Sequence, residues 1–172
     1  FYYPENLSRL ERLGAVLVEL NAMTADSLPD LDALYIGGGF PETQAEALSR
    51  NAPFRADLKE KIEAGLPVYA ECGGLMYLGE GLILDERRYP MVGALPLEFV
   101  LEKRPQGHGY TLLEVDRGNP FYPAGETLKG HEFHYSRPIV TASRDLVTVF
   151  KVRRGRGLDG QRDGLCRKNL LA

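Results

Sequence analysis

The stretch Val68-Tyr69-Ala70-Glu71-Cys72-Gly73-Gly74-Leu75-Met76-Tyr77-Leu78 determines how the rest of the chain is interpreted. Its apolar start, 68–70, predicts a buried strand, and its apolar end predicts a short helix. A cysteine at a sharp strand-to-helix turn is typical of a nucleophile elbow, and the two glycines permit such a turn. We expect the free N–H groups at the start of the helix to lower the pKa of the Cys72 thiol and to hold an oxyanion. The alternative is that Cys72 is one more small apolar residue of the core.

The composition is that of a single globular domain. The chain has 172 residues, of which 44% are hydrophobic and 26% charged, which allows a substantial core. A net charge of −3 gives no general attraction to nucleic acid. No apolar run is long enough to span a membrane, so neither nucleic acid nor a membrane is predicted as a partner. Two cysteines far apart in sequence indicate no disulfide framework and suit a reducing cytosol, which predicts a cytoplasmic location.

Residues 1–80 alternate between helical and strand patterns. The predicted elements are a helix at 4–13, strands at 15–20 and 33–36, a helix after Pro41, a helix at 53–64 and the strand at 68–70. This order predicts an α/β fold, in which helices cover both faces of a parallel sheet. Ligands bind at the carboxyl ends of such strands, and two glycine-rich loops, 37–39 and 73–74, fall there.

The second half of the chain has a different pattern. Turn residues separate β-rich segments, which lie at 92–101, 110–115, 129–135, 146–152 and 165–171. We expect these segments to form mostly antiparallel strands that extend the same sheet or pack beside it.

A thiol nucleophile needs oxyanion donors and usually a histidine base. The backbone at Gly38 and Gly39 is a candidate donor, although these glycines could also form only a flexible turn. His131 and His134 could supply the base or contact a substrate, and the alternative is that they are structural histidines. Residues three apart on a strand point to opposite faces, so we predict no metal site at these histidines.

Two patterns near the end of the chain are interpreted as minor. The string at 155–160 matches Gly-x-Gly-x-x-Gly, but no helix is expected after it, and the chain contains no P-loop. The segment 151–168 carries seven basic and two acidic residues and is predicted to form a strand-turn-strand hairpin. It is either a docking surface for an anionic substrate or acidic domain, or simply a solvated surface.

Four stretches of the chain, in this order and spacing, resemble the C-terminal glutaminase domain of the cobyrinic acid a,c-diamide synthases, in the class I glutamine amidotransferase-like group. They are Phe1-Tyr2-Tyr3-Pro4-Glu5-Asn6-Leu7, Tyr35-Ile36-Gly37-Gly38-Gly39-Phe40-Pro41-Glu42, Tyr69-Ala70-Glu71-Cys72-Gly73-Gly74-Leu75-Met76-Tyr77-Leu78 and Gly130-His131-Glu132-Phe133-His134-Tyr135-Ser136. The resemblance covers nearly the whole chain. It implies a three-layer α/β/α fold of flavodoxin-like type, with a mostly parallel central sheet and antiparallel β additions in the C-terminal half.

The resemblance also implies an activity. Cys72 would be the nucleophile that forms a glutamyl thioester, and Gly38, Gly39 and Gly73 would stabilise the oxyanion and help bind glutamine. The ammonia released would amidate the a and c carboxylates of a corrinoid in cobalamin biosynthesis. ATP and Mg²⁺ would bind the N-terminal ATPase domain of the same polypeptide and not this chain. A homodimer is one assembly that this family allows.

One feature departs from the family pattern. There the activating histidine lies in a segment after the residues that resemble 168–172, and a first strand precedes Phe1. We therefore expect 1–172 to be one domain, truncated at both ends and inactive alone unless His131 or His134 replaces the base. Alternatives are amidation of a related tetrapyrrole, in cobyric acid or nickel-sirohydrochlorin synthesis, or a non-catalytic binding module of the same fold.

Overall fold

The computed structural model describes residues 1–142 and 146–172. The helices are α1 (Pro4–Arg12), α2 (Ala45–Arg50), α3 (Ala52–Ala64) and α4 (Gly73–Leu78), and a 3-10 turn spans Pro41–Gln44. The strands are β1 (Leu34–Ile36), β2 (Val68–Ala70), β3 (Gly81–Leu84), β4 (Arg87–Pro90), β5 (Leu97–Leu101), β6 (Gly107–Val115), β7 (Thr127–His134), β8 (Ser136–Val140), β9 (Val147–Arg154), β10 (Arg162–Arg167) and β11 (Leu170–Leu171).

The helix α3 forms for the reasons that its sequence predicts. The Asn51 side chain accepts a hydrogen bond from the N–H of Phe54, which caps the first turn. Phe54, Leu58 and Ile62 recur every four residues and are all buried. Gly65 ends the helix in the left-handed conformation, at φ 105°.

A seven-stranded sheet has the order β1-β2-β11-β10-β9-β6-β7. β1, β2 and β11 are parallel neighbours, with Leu34 opposite Val68 and Leu171 opposite Tyr69. The other neighbours in this sheet are antiparallel, which confirms the predicted antiparallel additions. The carboxyl ends of β1, β2 and β11 therefore meet at one edge of the sheet. The glycine loop follows β1 at this edge, and the turn that contains Cys72 follows β2.

A second sheet has the order β4-β3-β5-β8, and its β3–β4 hairpin was not predicted from sequence. The turn of this hairpin consists of Asp85 and Glu86, which have φ 47° and 67°. Such turns are usually recognised by Asn-Gly or Asp-Gly, so the sequence here gives little signal. Leu82 of β3 and Leu97 of β5 belong to the same core as α3 and β2, so this sheet packs beside the first one.

The prediction of a strand at 15–20 is wrong. These residues form no strand and are exposed, with Val16 90% accessible. The predicted helix α1 is present but buries none of its residues. An apolar run becomes a strand only when a neighbouring strand takes up its backbone hydrogen bonds, and no described residue does so here.

Candidate active site

Cys72 lies at a sharp turn between β2 and α4. Its backbone has φ 49° and ψ −104°, a strained conformation for a residue with a side chain. A Cβ atom at Gly73 would lie 2.5 Å from the carbonyl oxygen of Gly39, and one at Gly74 would lie 2.7 Å from that of Ile36. Glycine is therefore required at both positions. This is the geometry of a nucleophile elbow, with the thiol at the corner.

The two glycine-rich loops meet at the same edge of the sheet, because β1 and β2 are parallel neighbours. A Cβ atom at Gly38 would lie 3.7 Å from the Cβ of Cys72. The backbone N–H groups of Gly73 and Gly39 face the thiol of Cys72 and act to lower its pKa. Two N–H donors from separate loops therefore converge on one sulfur atom.

The electrostatic environment of Cys72 differs from the sequence prediction. Burial raises the pKa of the Cys72 thiol, although the residue remains accessible, and the hydrogen bonds from Gly73 and Gly39 offset only part of this rise. The carboxylates of Glu42 and Glu71 raise the same pKa further. The prediction of a lowered pKa is therefore wrong, because desolvation together with two nearby anions outweighs the effect of the N–H groups of Gly73 and Gly39.

Cys72 opens into a depression between the elbow and the β7–β8 corner. Its walls are formed by Gly39, Phe40, Glu42, Met76, Leu101, Phe133, His134, Tyr135 and Ser136. Apolar side chains line most of it, and the Gly39 backbone, Glu42, His134 and Ser136 supply polar groups. Such a lining suits a small polar ligand with an aliphatic body.

The structure separates the two histidine candidates. His134 lines the depression beside Cys72, and its Nδ1 lies 3.0 Å from the carbonyl oxygen of Ser136. His131 is exposed and packs edge-on against the rings of His108 and Tyr110, with centroid distances of 6.5 and 6.1 Å. Side chains alternate along β7, so residues three apart point to opposite faces.

Two further groups near Cys72 were not identified from sequence. Glu71 immediately precedes the thiol and accepts a hydrogen bond of 2.7 Å from the hydroxyl of Tyr35. Burial and this bond raise the pKa of Tyr35. Glu42 lines the depression. Only their places at the ends of β1 and β2, beside the glycine loops, could have indicated them.

The basic segment forms the predicted hairpin, since β9 and β10 pair antiparallel. The Gly-x-Gly-x-x-Gly string lies in the turn of this hairpin and does not open a helix, so it lacks the structural context of a dinucleotide site. Several of its cations are already engaged. Arg162 pairs with Asp116, and Arg167 and Lys168 pair with Glu63.

A metal site and a membrane-spanning helix were looked for in the described part of the chain, residues 1–142 and 146–172. Within it, no three His, Cys, Asp or Glu side chains are grouped in a way that could hold a metal ion. Within the same residues, no helix has the length and apolar content needed to span a bilayer.

A family model described as the CobB/CobQ-like glutamine amidotransferase domain matches residues 1–172. The chain belongs to this family. Its likeness to solved structures confirms the expected α/β fold: "Crystal structure of glutamine amidotransferase" has a TM-score of 0.66 at 20% identity, covering 98% of this chain and 81% of that chain. A putative GMP synthase protein from Thermoplasma acidophilum has a TM-score of 0.64 at 18% identity, covering 98% of this chain and 75% of that one.

Three similar curated relatives share one name. A cobyrinate a,c-diamide synthase of Archaeoglobus fulgidus is 47% identical over 171 residues, 99% of this chain. Proteins of the same name from Methanosphaera stadtmanae and Magnetococcus marinus are 44% and 40% identical over 172 residues. In each case the chain spans 37% of the relative's length. The resemblance seen in the sequence is thereby confirmed.

Proposed function

We propose that this chain is the glutamine-hydrolysing part of an amidotransferase and that Cys72 is its nucleophile. One observation carries the proposal: the thiol lies at a strained elbow where N–H groups of Gly73 and Gly39 converge on it. An amide carbonyl attacked by this sulfur would place its developing oxyanion among fixed donors.

The reaction then follows ordinary thiol chemistry. The sulfur of Cys72 adds to the side-chain amide carbon of glutamine, and the resulting oxyanion is held by N–H groups of Gly73 and of the Gly38–Gly39 loop. The C–N bond breaks as ammonia takes up a proton, which leaves a glutamyl thioester. Water hydrolyses the thioester to glutamate and returns the thiol.

A base is needed, because the raised pKa of Cys72 disfavours the thiolate in the free protein. The proposal assigns this base to a histidine in the segment that the resemblance places after Ala172. The direction of β11 supports this assignment: Leu171 lies opposite Tyr69 on a parallel neighbour of β2. Residues that directly follow β11 would therefore reach the edge where Cys72 lies.

The finer proposal is that the ammonia amidates the a and c carboxylates of cobyrinic acid in cobalamin synthesis. It is supported by the name of relatives that are 40 to 47% identical to nearly the whole chain. ATP and Mg²⁺ would act on an N-terminal ATPase domain of the same polypeptide, which would activate the corrinoid carboxylates in the cytoplasm. Another tetrapyrrole is the alternative substrate.

The test uses the protein that contains both the chain and the proposed ATPase domain. Cys72→Ala or Cys72→Ser should abolish amidation with glutamine and leave amidation with free ammonia intact, because carboxylate activation occurs elsewhere. Cys166→Ser is the matched control, since Cys166 is the other free thiol and lies outside the Cys72 depression. Glutamine use at a near-normal rate in the Cys72→Ala protein would show that the assignment is wrong.

The raised pKa of Cys72 supports a second candidate, a binding module that retains the fold without catalysis. A glutamine-shaped electrophile such as azaserine distinguishes the two. Saturable modification of Cys72 supports the enzyme, whereas reaction with iodoacetamide alone supports the module.

A further inference from the structure

Glu132 is an enclosed carboxylate that the reaction of Cys72 does not use. Its side chain is only 13% exposed. One carboxylate oxygen accepts the backbone N–H of Arg156 at 2.7 Å, and the other accepts that of Gly157 at 3.1 Å. Glu132 thus joins strand β7 to the turn between β9 and β10. Two hydrogen bonds to one carboxylate make this a rigid connection.

The same carboxylate faces His134. The two residues are two positions apart on β7, so their side chains lie on one face of the strand. Oε2 of Glu132 lies 4.0 Å from Nε2 of His134, an ion-pair distance when the imidazole carries two protons. The Nδ1 of His134 donates to the carbonyl of Ser136, because a carbonyl oxygen can only accept. The hydrogen bond to Ser136 therefore fixes the imidazole, and Glu132 lies against its Nε2 edge, where it forms an ion pair only with the doubly protonated ring.

Two glycines make room for this arrangement. A Cβ atom at Gly107, opposite His134 on β6, would lie 2.3 Å from Nε2 of His134 and 3.0 Å from the carboxyl carbon of Glu132. One at Gly155 would lie 3.1 Å from Oε1 of Glu132. The backbone of β6 therefore lies directly against both side chains and the β9–β10 turn against Glu132, so that neither side chain can move far without breaking these contacts.

Asp163 on β10 is the other carboxyl group beside this cluster. Burial raises the pKa of Asp163, and the charge of Glu132 raises it further. The N–H of Gly164 and the charge of His134 lower this pKa but offset only part of the rise. Asp163 is thus disfavoured as the anion that faces His134. Glu132, held by two N–H donors, is the better placed of the two carboxylates for this role.

We propose that Glu132 is a positioning residue of the Cys72 pocket. It holds the imidazole of His134 in the wall of this pocket and anchors that wall to the turn at 155–157. The proposal rests on the proposed function, because it states how one side of the glutamine site is kept in place.

The experiment follows modification of Cys72 in the Cys166→Ser chain at alkaline pH. Azaserine, which resembles glutamine, reports the pocket through its half-saturation concentration, and iodoacetamide reports the thiol alone. Glu132→Gln keeps the size of the side chain but removes its charge and one acceptor. We expect the half-saturation concentration for azaserine to rise about tenfold, the change for loss of one charge-assisted hydrogen bond between Glu132 and the N–H groups of Arg156 and Gly157, while the iodoacetamide rate is unchanged.

Asp159→Asn is the matched control. Asp159 also accepts two backbone N–H groups in the β9–β10 turn, those of Gln161 and Arg162 at 2.8 Å, but it does not line the Cys72 pocket. This variant should lower the melting temperature as Glu132→Gln does and leave azaserine saturation unchanged. If the half-saturation concentration for azaserine is unchanged in both variants, Glu132 only stabilises the turn and the proposal is overturned.

Comparison with His134→Asn tests whether Glu132 acts on the pocket through His134. If Glu132 acts through His134, adding Glu132→Gln to His134→Asn should raise the half-saturation concentration no further, whereas full additivity would overturn the proposal. A wild-type chain that reacts with iodoacetamide but shows no saturation by azaserine would instead contradict the glutamine site itself, and the role of Glu132 in it. Saturation in the wild type with no effect of Glu132→Gln would contradict only the role of Glu132.

Discussion

Cys72 experiences two opposing electrostatic effects. Burial and the carboxylates of Glu42 and Glu71 favour the neutral thiol, and the N–H groups of Gly73 and Gly39 favour the thiolate. The first set is stronger in the free protein. An enzyme built this way would generate its nucleophile only when a base, or the bound substrate, removes the proton. The strained backbone at Cys72 keeps the sulfur at the corner where those donors can reach it.

The pH dependence of alkylation follows from the raised pKa. In the Cys166→Ser chain, the rate of reaction with iodoacetamide should increase with pH and reach half its maximum above the value of an ordinary thiol, about 8.5. The sign follows because the thiolate reacts, and a raised pKa leaves less thiolate at neutral pH. The rate is measured from pH 6 to 11 by mass spectrometry, both limits being about two to three units from that value. A midpoint below that of a free cysteine peptide would contradict the direction.

Gly73 has no room for a side chain. We expect Gly73→Ala to lower the free energy of unfolding by about 2 kcal/mol, because its Cβ would lie 2.5 Å from a backbone oxygen that cannot turn away. The variant should also lose azaserine labelling of Cys72. Gly118→Ala, where no atom lies within 4 Å of the new Cβ, is the control and should be nearly neutral. Urea denaturation of both proteins checks the expectation.

Among the structural elements, the β9–β10 hairpin raises the question whether its cations form a docking surface. Its two strands pair as predicted, and part of its positive charge is satisfied within the domain by Asp116 and Glu63. Arg153 also pairs with Glu114. Arg154 and Arg156 are exposed and lie at and beside the turn that Glu132 holds. They are the hairpin cations best placed to face an acidic domain or an anionic substrate.

Charge reversal at the hairpin tests this docking role. In the protein with its ATPase domain, Arg154→Glu together with Arg156→Glu should raise the KM of the amidated substrate and leave glutamine hydrolysis unchanged. Arg153 is excluded from the variant because reversing it would also break its pair with Glu114. Lys59→Glu, an exposed position on α3, gives the same type of charge change elsewhere. If neither kinetic parameter moves, the hairpin is a solvated surface.

At the scale of the whole molecule, the position of β11 links the end of the chain to the site. β11 lies beside β2 with Leu170 opposite Val68, and it is fully buried. The edge at which Cys72 lies is therefore also the edge towards which β11 runs. By contrast, α1 buries none of its residues and the apolar residues of 15–20 are exposed, so that part of the molecule contributes little to the core.

Glutamine hydrolysis by the chain of residues 1–172 alone is expected to be absent or very slow. The physical reason is that the thiol pKa is raised and the proposed base lies after Ala172. Ammonia release is compared between this chain and one extended at both ends, as its relatives are. Full activity of residues 1–172 would identify His134, the histidine that lines the pocket, as the base and would overturn the expectation taken from the family.

Local sequence patterns were sufficient to predict the features that depend on neighbouring residues. The elbow at Cys72, the helix α3 with Asn51 and Gly65 at its ends, and the placement of the glycine loops after buried strands were all predicted. Each follows from a local rule: a tight turn requires glycine, a helix needs caps, and apolar spacing selects the period. The four linked stretches also sufficed to identify the family, which the comparison with known proteins confirmed.

The features that depend on partners distant in sequence became visible only in the folded structure. The pKa of Cys72 moved opposite to the prediction because burial and Glu42 are not visible in the local motif. His134 reached the pocket and His131 did not, since the depression meets the end of β7 and its corner with β8, where residues 133–136 lie. The residues 15–20 have the apolar run of a strand but lack a neighbour to pair with among the described residues. Desolvation, the position of a strand end and strand pairing are properties of the assembled fold, so no local pattern could supply them.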